Sequence, residues 1–251
     1  MKQIIIQGIR GKMGRALCER IEGRQDCRVL AGIDLSAGQE GAIPVVSSPS
    51  DLPAGGDVVI DFSAPEASIR LLEYCVAHSL PCVLCTTGFS EEQKAQICQA
   101  SEKVAVFQSA NMSLGINLLA ELACRAAKKL GLDYDIEIIE KHHHNKVDAP
   151  SGTALLLADA INASVDEPYT YVYDRHAVRK ARDVHEMGLH AVRGGSIVGE
   201  HEILFCGQDE VITLSHSAAS RGVFANGAIN AALFLCGKPA GLYTMRDLLE
   251  D

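Results

Sequence analysis

Between Glu140 and Ala154 the chain reads Glu-Lys-His-His-His-Asn-Lys-Val-Asp-Ala-Pro-Ser-Gly-Thr-Ala, fifteen residues that hold three imidazoles and two ammonium groups. Imidazole exchanges a proton near neutral pH, so His142, His143 and His144 are candidates for delivering one. Lys146 adds a mobile positive charge. Pro150 turns the residue before it away from helical angles, and Ser151 is suited to cap a helix that begins at Gly152. The first-turn amides of Gly152, Thr153 and Ala154 then have no carbonyl four residues back, and the helix dipole places partial positive charge there. Gly152 permits close approach and Thr153 adds a hydroxyl, so a carboxylate or phosphate is the expected guest. The stretch predicts a site for an anionic small molecule that also needs a proton.

Two plainer readings compete with that one. Adjacent histidines on a loop often form nothing more than a solvated surface. Zinc sites favour spacings such as His-x-x-x-His that bring two rings to one face, whereas consecutive histidines splay apart, so no metal is expected. Convergence of histidines, lysine and a capped helix within one loop favours the functional reading.

The elements that must position this loop are legible on both sides. Upstream, Tyr134, Ile136 and Ile138 alternate with Asp135 and Glu137, the period of a half-buried strand. Downstream, Ala154 to about Asn162 reads as a helix. At the N-terminus, the apolar run Ile4-Ile5-Ile6 leads into Gly8-Ile9-Arg10-Gly11-Lys12-Met13-Gly14 and then a helix over 15–21. This is the strand, glycine turn and helix of a dinucleotide-binding unit, although Ile9 stands where the first glycine of Gly-x-Gly-x-x-Gly belongs. A second strand over 28–33 ends in Asp34, twenty residues after Gly14, where an acid bonds the adenosine ribose.

Strands are predicted again over 57–62, 81–85 and 104–107, with a helix over 66–77. Their C-terminal ends carry Ser63-Ala64-Pro65, Thr86-Thr87-Gly88 and Ser109-Ala110-Asn111, small or polar turns of the kind that line a ligand crevice in an open parallel sheet. A long helix over 114–130 stops at Gly131. Beyond it, strands over 189–192, 197–204 and 211–215 predict a mixed sheet with few helices, and 174–186 reads as a solvated loop or an arm to another subunit. A helix over 225–235 returns the chain to the first domain.

Across 251 residues the composition is that of a globular protein, 47% hydrophobic and 22% charged, with a net charge of −9. Without a basic face, nucleic acid is not an expected partner. No signal-peptide core and no apolar stretch of membrane-spanning length is visible, so a cytoplasmic protein and no membrane partner are expected. Nine cysteines without an export signal point to reduced thiols. Cys82 and Cys85 fall on a predicted strand, where residues three apart face opposite ways, and read as core filling.

The stretch Glu140 to Ala154, together with Gly8 to Gly14, Thr86-Thr87-Gly88-Phe89, Ser109-Ala110-Asn111, Arg193 to Glu202 and Ser220 to Ala228, resembles the dihydrodipicolinate reductase family. These are the 4-hydroxy-tetrahydrodipicolinate reductases of the diaminopimelate route to lysine, and the resemblance runs over essentially the whole chain. It implies an α/β architecture with a Rossmann-type nucleotide-binding domain built from both chain ends (1–112 and 224–251). A central α+β substrate-binding and oligomerisation domain with a mixed sheet (113–223) completes it, in a homotetramer.

Reduction in such a family passes a hydride from the nicotinamide to a cyclic unsaturated imine while an acid protonates the neighbouring carbon. By resemblance His142 is that acid and Lys146 a second donor, with His143, Gly152 and Thr153 holding the carboxylates of a small dicarboxylate. His144 and Asn145 receive no role. Cofactor contacts are implied for Gly8, Ile9, Arg10, Gly11, Lys12, Met13, Asp34, Cys85, Thr86, Thr87, Ser109, Ala110, Asn111 and Met112.

Two departures from the family pattern matter. Cys85-Thr86-Thr87 replaces the common Gly-Thr-Thr, adding a side chain near the nicotinamide end. Leu35 follows Asp34 where relatives that grip the NADP 2′-phosphate often place Arg, so NADH is expected to be preferred over NADPH. Arg10 and Lys12 in the glycine loop are the residues able to rescue NADPH. The rival readings are a reductase of another small dicarboxylate, a catalytically silent dinucleotide sensor, and, more distantly, a zinc hydrolase.

Overall fold

In the computed structural model, which describes residues 1–250, the run Ile4-Ile5-Ile6 forms the centre of a strand whose side chains are at most 1% exposed. From that strand, β1 (Lys2–Gln7), the chain passes through α1 (Lys12–Ile21), β2 (Cys27–Ile33), β3 (Gly38–Glu40), β4 (Ile43–Val46), β5 (Val58–Asp61) and α2 (Pro65–His78). It continues through β6 (Cys82–Leu84), α3 (Glu91–Ser101), β7 (Ala105–Gln108) and α4 (Leu114–Leu130). Next come β8 (Asp135–His142), α5 (Gly152–Ser164), β9 (Thr170–Val172), β10 (Glu186–Arg193), β11 (Gly199–Cys206) and β12 (Val211–Ala218). The chain ends with α6 (Gly222–Leu235), β13 (Gly241–Tyr243) and α7 (Met245–Glu250). Two compact units result: Met1–Leu114 with Arg221–Asp251, and Gly115–Ser220.

In the first unit eight strands lie in the order β13-β7-β6-β5-β1-β2-β4-β3, all parallel except the β3–β4 pair. Such a sheet is covered on both faces, so its central strands are apolar without alternation. Ile4, Ile6, Val58 and Ile60 pack in a core with Leu17 of α1 and Ala228 and Ile229 of α6. Ile5 and Val59 point the other way, toward Leu71 and Cys75 of α2 and Ile97 of α3. Cys82 belongs to the second of these cores and Cys85 to the first, the opposite-face arrangement expected of strand filling. Strand order reverses between β1 and β5, which makes the C-terminal ends of these two strands the ligand crevice of a Rossmann-type sheet.

The second unit is a five-stranded mixed sheet in the order β12-β11-β8-β10-β9, with β8, β9 and β10 parallel and β11 antiparallel to β8 and β12. One face carries Ile136, Ile138, Leu189, Ile203 and Phe205 against Leu119 and Ala123 of α4 and Leu157 and Ile161 of α5. Residues 174–185 hold no helix or strand; Arg175, Lys180 and Arg182 pair with Glu186, Glu137 and Asp135 of the strands.

Several elements go beyond the sequence expectation. β3, β4, β9, β13 and α7 are short, and each buries too little to imprint a period. α3 buries only Ile97, Ala100 and Ser101, so its apolar pattern is faint, and the capping box of Ser90 with Gln93 was the available signal. β10 and β12 extend past the predicted strands, β11 starts at Gly199 instead of 197, and α6 begins three residues earlier than predicted.

Candidate active site

The alternation on β8 holds to its end: Ile136, Ile138, Glu140 and His142 all face inward. Two apolar side chains are followed on the same face by a carboxylate and an imidazole, and a buried charge must be paired. Glu140, 0% exposed, accepts from both Nη atoms of Arg193 at 2.7 Å, from the Ser151 amide at 2.9 Å and from His142 Nδ1 at 2.6 Å. Burial pushes the Glu140 carboxyl up, but hydrogen bonds from Arg193, His142 and Ser151 outweigh it and hold the group below its usual range. Glu140 is therefore a carboxylate that fixes the tautomer and orientation of His142, leaving Nε2 as the working nitrogen.

Around His142 the packing is close. The His201 ring stands edge-on to it with centroids 5.2 Å apart, and His201 Nε2 lies 3.0 Å from Ser151 Oγ. Burial first, and the neighbouring His142 second, depress the His201 pKa to about 4, so His201 is neutral at pH 7. A Cβ on Gly199 would sit 3.0 Å from His142 Nε2; glycine keeps that edge of the ring clear. The Gly194 amide donates to His142 O at 2.9 Å and the His144 amide to Gly195 O at 3.3 Å, so the β10–β11 turn holds the start of the loop.

Ser151 caps α5 as predicted, its Oγ accepting from the Ala154 amide at 3.1 Å. Gly152 is exposed, with no atom within 4 Å of where a Cβ would lie, so its amide is approachable. Thr153 is half-buried in the same first turn. Lys146 lies 2.8 Å from Asp148, and its hydrogen bond, followed by that of the Asp148 backbone amide, outweighs burial and holds the Asp148 carboxyl below its usual range. Lys146, the cation predicted to attract an anionic guest, is thus already paired with an anion of the protein. His143 is half-buried, and its Nδ1 is fully covered without a hydrogen-bond partner. His144 is exposed. Among the described residues no cluster of three metal-ligating side chains occurs.

The predicted cofactor residues lie in the first unit at the ends of β1, β2, β6 and β7. Gly8 takes φ +77° and turns the chain out of β1. A Cβ on Gly14 would lie 2.3 Å from Gly8 O and 2.4 Å from Ile9 O, so only glycine lets α1 start this close to β1. Asp34 accepts from the Arg10 amide and the Leu35 amide, both at 2.9 Å. A cavity of about 200 Å³ beside Gly8 and Asp34 is lined by Leu35, Ser47, Pro49 and Arg70. Its glycine turn, ribose-side carboxylate and open volume fit the adenosine half of a dinucleotide.

Three of the expected contacts, Ile9, Cys85 and Met112, turn their side chains into the core and offer a ligand only backbone. For Cys85 this corrects the expectation of an added side chain at the nicotinamide end. The thiol is 7% exposed, and burial followed by the Asp61 charge pushes its pKa well above the ordinary value. Thr86 is 6% exposed and donates to Asp61 at 3.1 Å. Thr87, Gly11, Lys12 and Ala110 are exposed, Met13 and Ser109 half-buried, and Asn111 buried with its Oδ1 accepting from the Ser113 amide.

Asp61 itself escaped the sequence reading. Fully buried, it accepts from Gln7 Nε2 at 3.1 Å, Ser63 Oγ at 2.5 Å, Ser68 Oγ and Thr86 Oγ1, tying the ends of β1, β5 and β6 to α2. Arg193, His201, Gly199 and the role of Glu140 were missed too. For Glu140 the signal was present, since the period that buries Ile136 and Ile138 also buries residues 140 and 142.

A Rossmann-type unit with an adenosine-sized crevice, in one chain with a second unit that holds a buried acid–base pair, defines a nicotinamide-dinucleotide-dependent oxidoreductase. Sequence models of dihydrodipicolinate reductase match the chain twice, the N-terminal model over residues 2–112 and the C-terminal model over 115–249. A 4-hydroxy-tetrahydrodipicolinate reductase of Caldanaerobacter subterraneus subsp. tengcongensis is 48% identical over 250 residues, covering 100% of this chain and 99% of the relative. One from Clostridium novyi is 46% identical over 251 residues, covering 100% and 99%. The solved dipicolinate-bound dihydrodipicolinate reductase of Paenisporosarcina sp. TG-14 superposes with a TM-score of 0.81 at 26% identity, over 97% of each chain. The chain belongs to the dihydrodipicolinate reductase family.

Proposed function

We propose that this protein reduces 4-hydroxy-tetrahydrodipicolinate to tetrahydrodipicolinate in the diaminopimelate route of lysine biosynthesis, with NADH preferred over NADPH. The observation that carries the reading is the buried Glu140–His142 pair beside the open first turn of α5, in a chain of this family. The dipicolinate bound to the Paenisporosarcina relative supports a small dicarboxylate as the guest. Reduced nicotinamide dinucleotide, when bound, supplies the hydride. Gly8, Arg10, Gly11, Lys12 and Asp34 hold its adenosine and phosphates, and the turns after Leu84 and Gln108 its nicotinamide end.

The remaining steps belong to the second unit. The Gly152 and Thr153 amides, the Thr153 hydroxyl and His143 bind the substrate carboxylates. Lys146 exchanges Asp148 for the substrate and orients it. Loss of the 4-hydroxyl as water leaves a cyclic unsaturated imine, and His142, with Nδ1–H held by Glu140, delivers the proton from Nε2 to the carbon next to the one that receives the hydride. Asp34 and Leu35 support NADH, because a 2′-phosphate would meet a carboxylate with no adjacent basic residue in sequence.

A homotetramer is part of the proposal. Exposed Val192, Val198, Val211 and Ile212 on or next to the strands, and Tyr173, Val178 and Val184 near or within 174–185, support an interface built from this unit. No helix among the described residues is long and apolar enough to cross a membrane, in keeping with the proposed cytoplasmic location.

The test is oxidation of NADH and NADPH followed at 340 nm, with substrate generated in place by the condensing synthase from pyruvate and aspartate semialdehyde. Rapid, substrate-dependent oxidation with a larger kcat/KM for NADH is expected. Silence with both cofactors, with substrate shown to be present, would refute the reading.

A further inference from the structure

Glu40 stands on β3, an edge strand with no hydrophobic pattern to announce it. Its carboxylate lies 3.6 Å from Arg10 Nε and 3.6 Å from Arg15 Nε. Arg10 leaves the glycine turn, passes beneath the loop that follows Asp34, and donates from Nη1 to Ser36 O at 2.6 Å and Ser36 Oγ at 2.8 Å. The loop is fitted closely over it, since a Cβ on Gly38 would stand 3.1 Å from Arg10 Nη2. The Arg10 amide meanwhile donates to Asp34. Arg10 is thereby tied through its amide to Asp34, which lines the adenosine crevice, and through its guanidinium to Ser36 two residues further on.

We infer that Glu40 is a specificity-determining residue: it neutralises Arg10 beside the ribose and so sets the discrimination between dinucleotides with and without a 2′-phosphate. This deepens the proposed NADH preference and rests on it. The sequence alone left Arg10 as a cation able to accept the phosphate. In the folded protein Asp34 and Glu40 offset Arg10 and Arg15, so Arg10 offers little net attraction to a 2′-phosphate carrying nearly two negative charges, and Arg70 in the lining of the same crevice is a cation that Glu40 does not offset. Converting Glu40 to a neutral residue restores one positive charge within a few ångströms of Ser36 without moving Asp34.

The experiment is calorimetric titration of the full chain, wild type and E40Q, with NADP⁺ and NAD⁺, and with adenosine 2′,5′-bisphosphate and AMP as probes of the crevice alone. The NADP⁺-to-NAD⁺ affinity ratio is expected to rise roughly three- to tenfold in E40Q, a range set by a half-exposed charge pair. That gain shrinks as salt rises and is cancelled by adding R10M. An unchanged ratio in folded E40Q overturns the inference. If E40Q does not fold, R15M decides instead: it leaves Glu40 undivided on Arg10, so the ratio must fall, and a constant or rising ratio overturns the inference. Wild-type protein that binds NADP⁺ more tightly than NAD⁺ would overturn the NADH preference, while the E40Q shift would still decide the role of Glu40.

Discussion

Replacing Glu140 by Gln tests the core of the site. The change preserves shape but turns one acceptor oxygen into a donor, in a pocket where Arg193, His142 and the Ser151 amide all present N–H groups to the carboxylate. With the amide oxygen facing Ser151, the new NH₂ faces His142 Nδ1 and Arg193 Nη1. His142 can adapt by changing tautomer, but Arg193 cannot, and a guanidinium that is only 19% exposed loses its counter-ion. Breaking such a pair costs about 3 kcal/mol of stability. For catalysis, a carboxylate beside an imidazolium is worth about 4 kcal/mol at an effective dielectric near 20, and Arg193 on the same carboxylate offsets part of it. A remainder of about 2 to 3 kcal/mol corresponds to a fall in kcat of roughly 30- to 160-fold.

The assay is steady-state NADH oxidation for wild type, E140Q, H142N and the double variant, with urea unfolding of each. Both single variants should lower kcat with little effect on the KM for NADH, whose proposed binding residues lie in the other unit. If Glu140 acts through His142, E140Q in the H142N background costs no further kcat, and E140D recovers part of the loss. Multiplicative losses, or a normal kcat in E140Q, would refute the positioning role.

Other consequences follow from the same geometry. In D148N the internal anion on Lys146 is gone, so the substrate KM should fall by about threefold with kcat little changed, an effect on uniform binding; a raised KM would contradict the placeholder role. His201 titrates near 4 when folded and near 6.5 when unfolded, so the unfolded chain takes up the extra proton. Its contribution is fully present above pH 6.5 and is lost as pH falls through 4, on the order of 3 kcal/mol. Urea unfolding at pH 7, 5 and 4 should show a shallower acid loss in H201Q than in wild type, and equal slopes would sink the assignment. Gly14→Ala places a Cβ on backbone oxygens that cannot yield, and should lower stability by about 3 kcal/mol and weaken NADH binding. Gly152→Ala meets open space, so stability should stay within about 0.5 kcal/mol while the substrate KM rises. Thermal unfolding and steady-state kinetics check both.

Much of the site was legible because it is local. Pro150, Ser151 and the helix after them are consecutive, and a cap needs only neighbours in sequence. The glycine turn and Asp34 are set by a strand, a tight turn and a second strand, each with a short-range signature. The correction at Cys85 has the opposite origin: it lies just past the end of β6, and the packing of α1 and α6 on that face decided that its thiol belongs to the core.

By itself, then, the sequence determined the strands with uninterrupted apolar runs, the capped helix, the loop of histidines and the family. These rest on interactions between residues a few positions apart. Only the tertiary structure decided that Glu140 meets Arg193 fifty-three residues away, that Ser151 meets His201 fifty away, that Asp61 gathers four segments, and that Glu40 stands over Arg10. Those pairings depend on strand register and on which strands are neighbours. Hydrophobic periodicity shows which face of a strand is buried, but carries no record of the partner across the ladder.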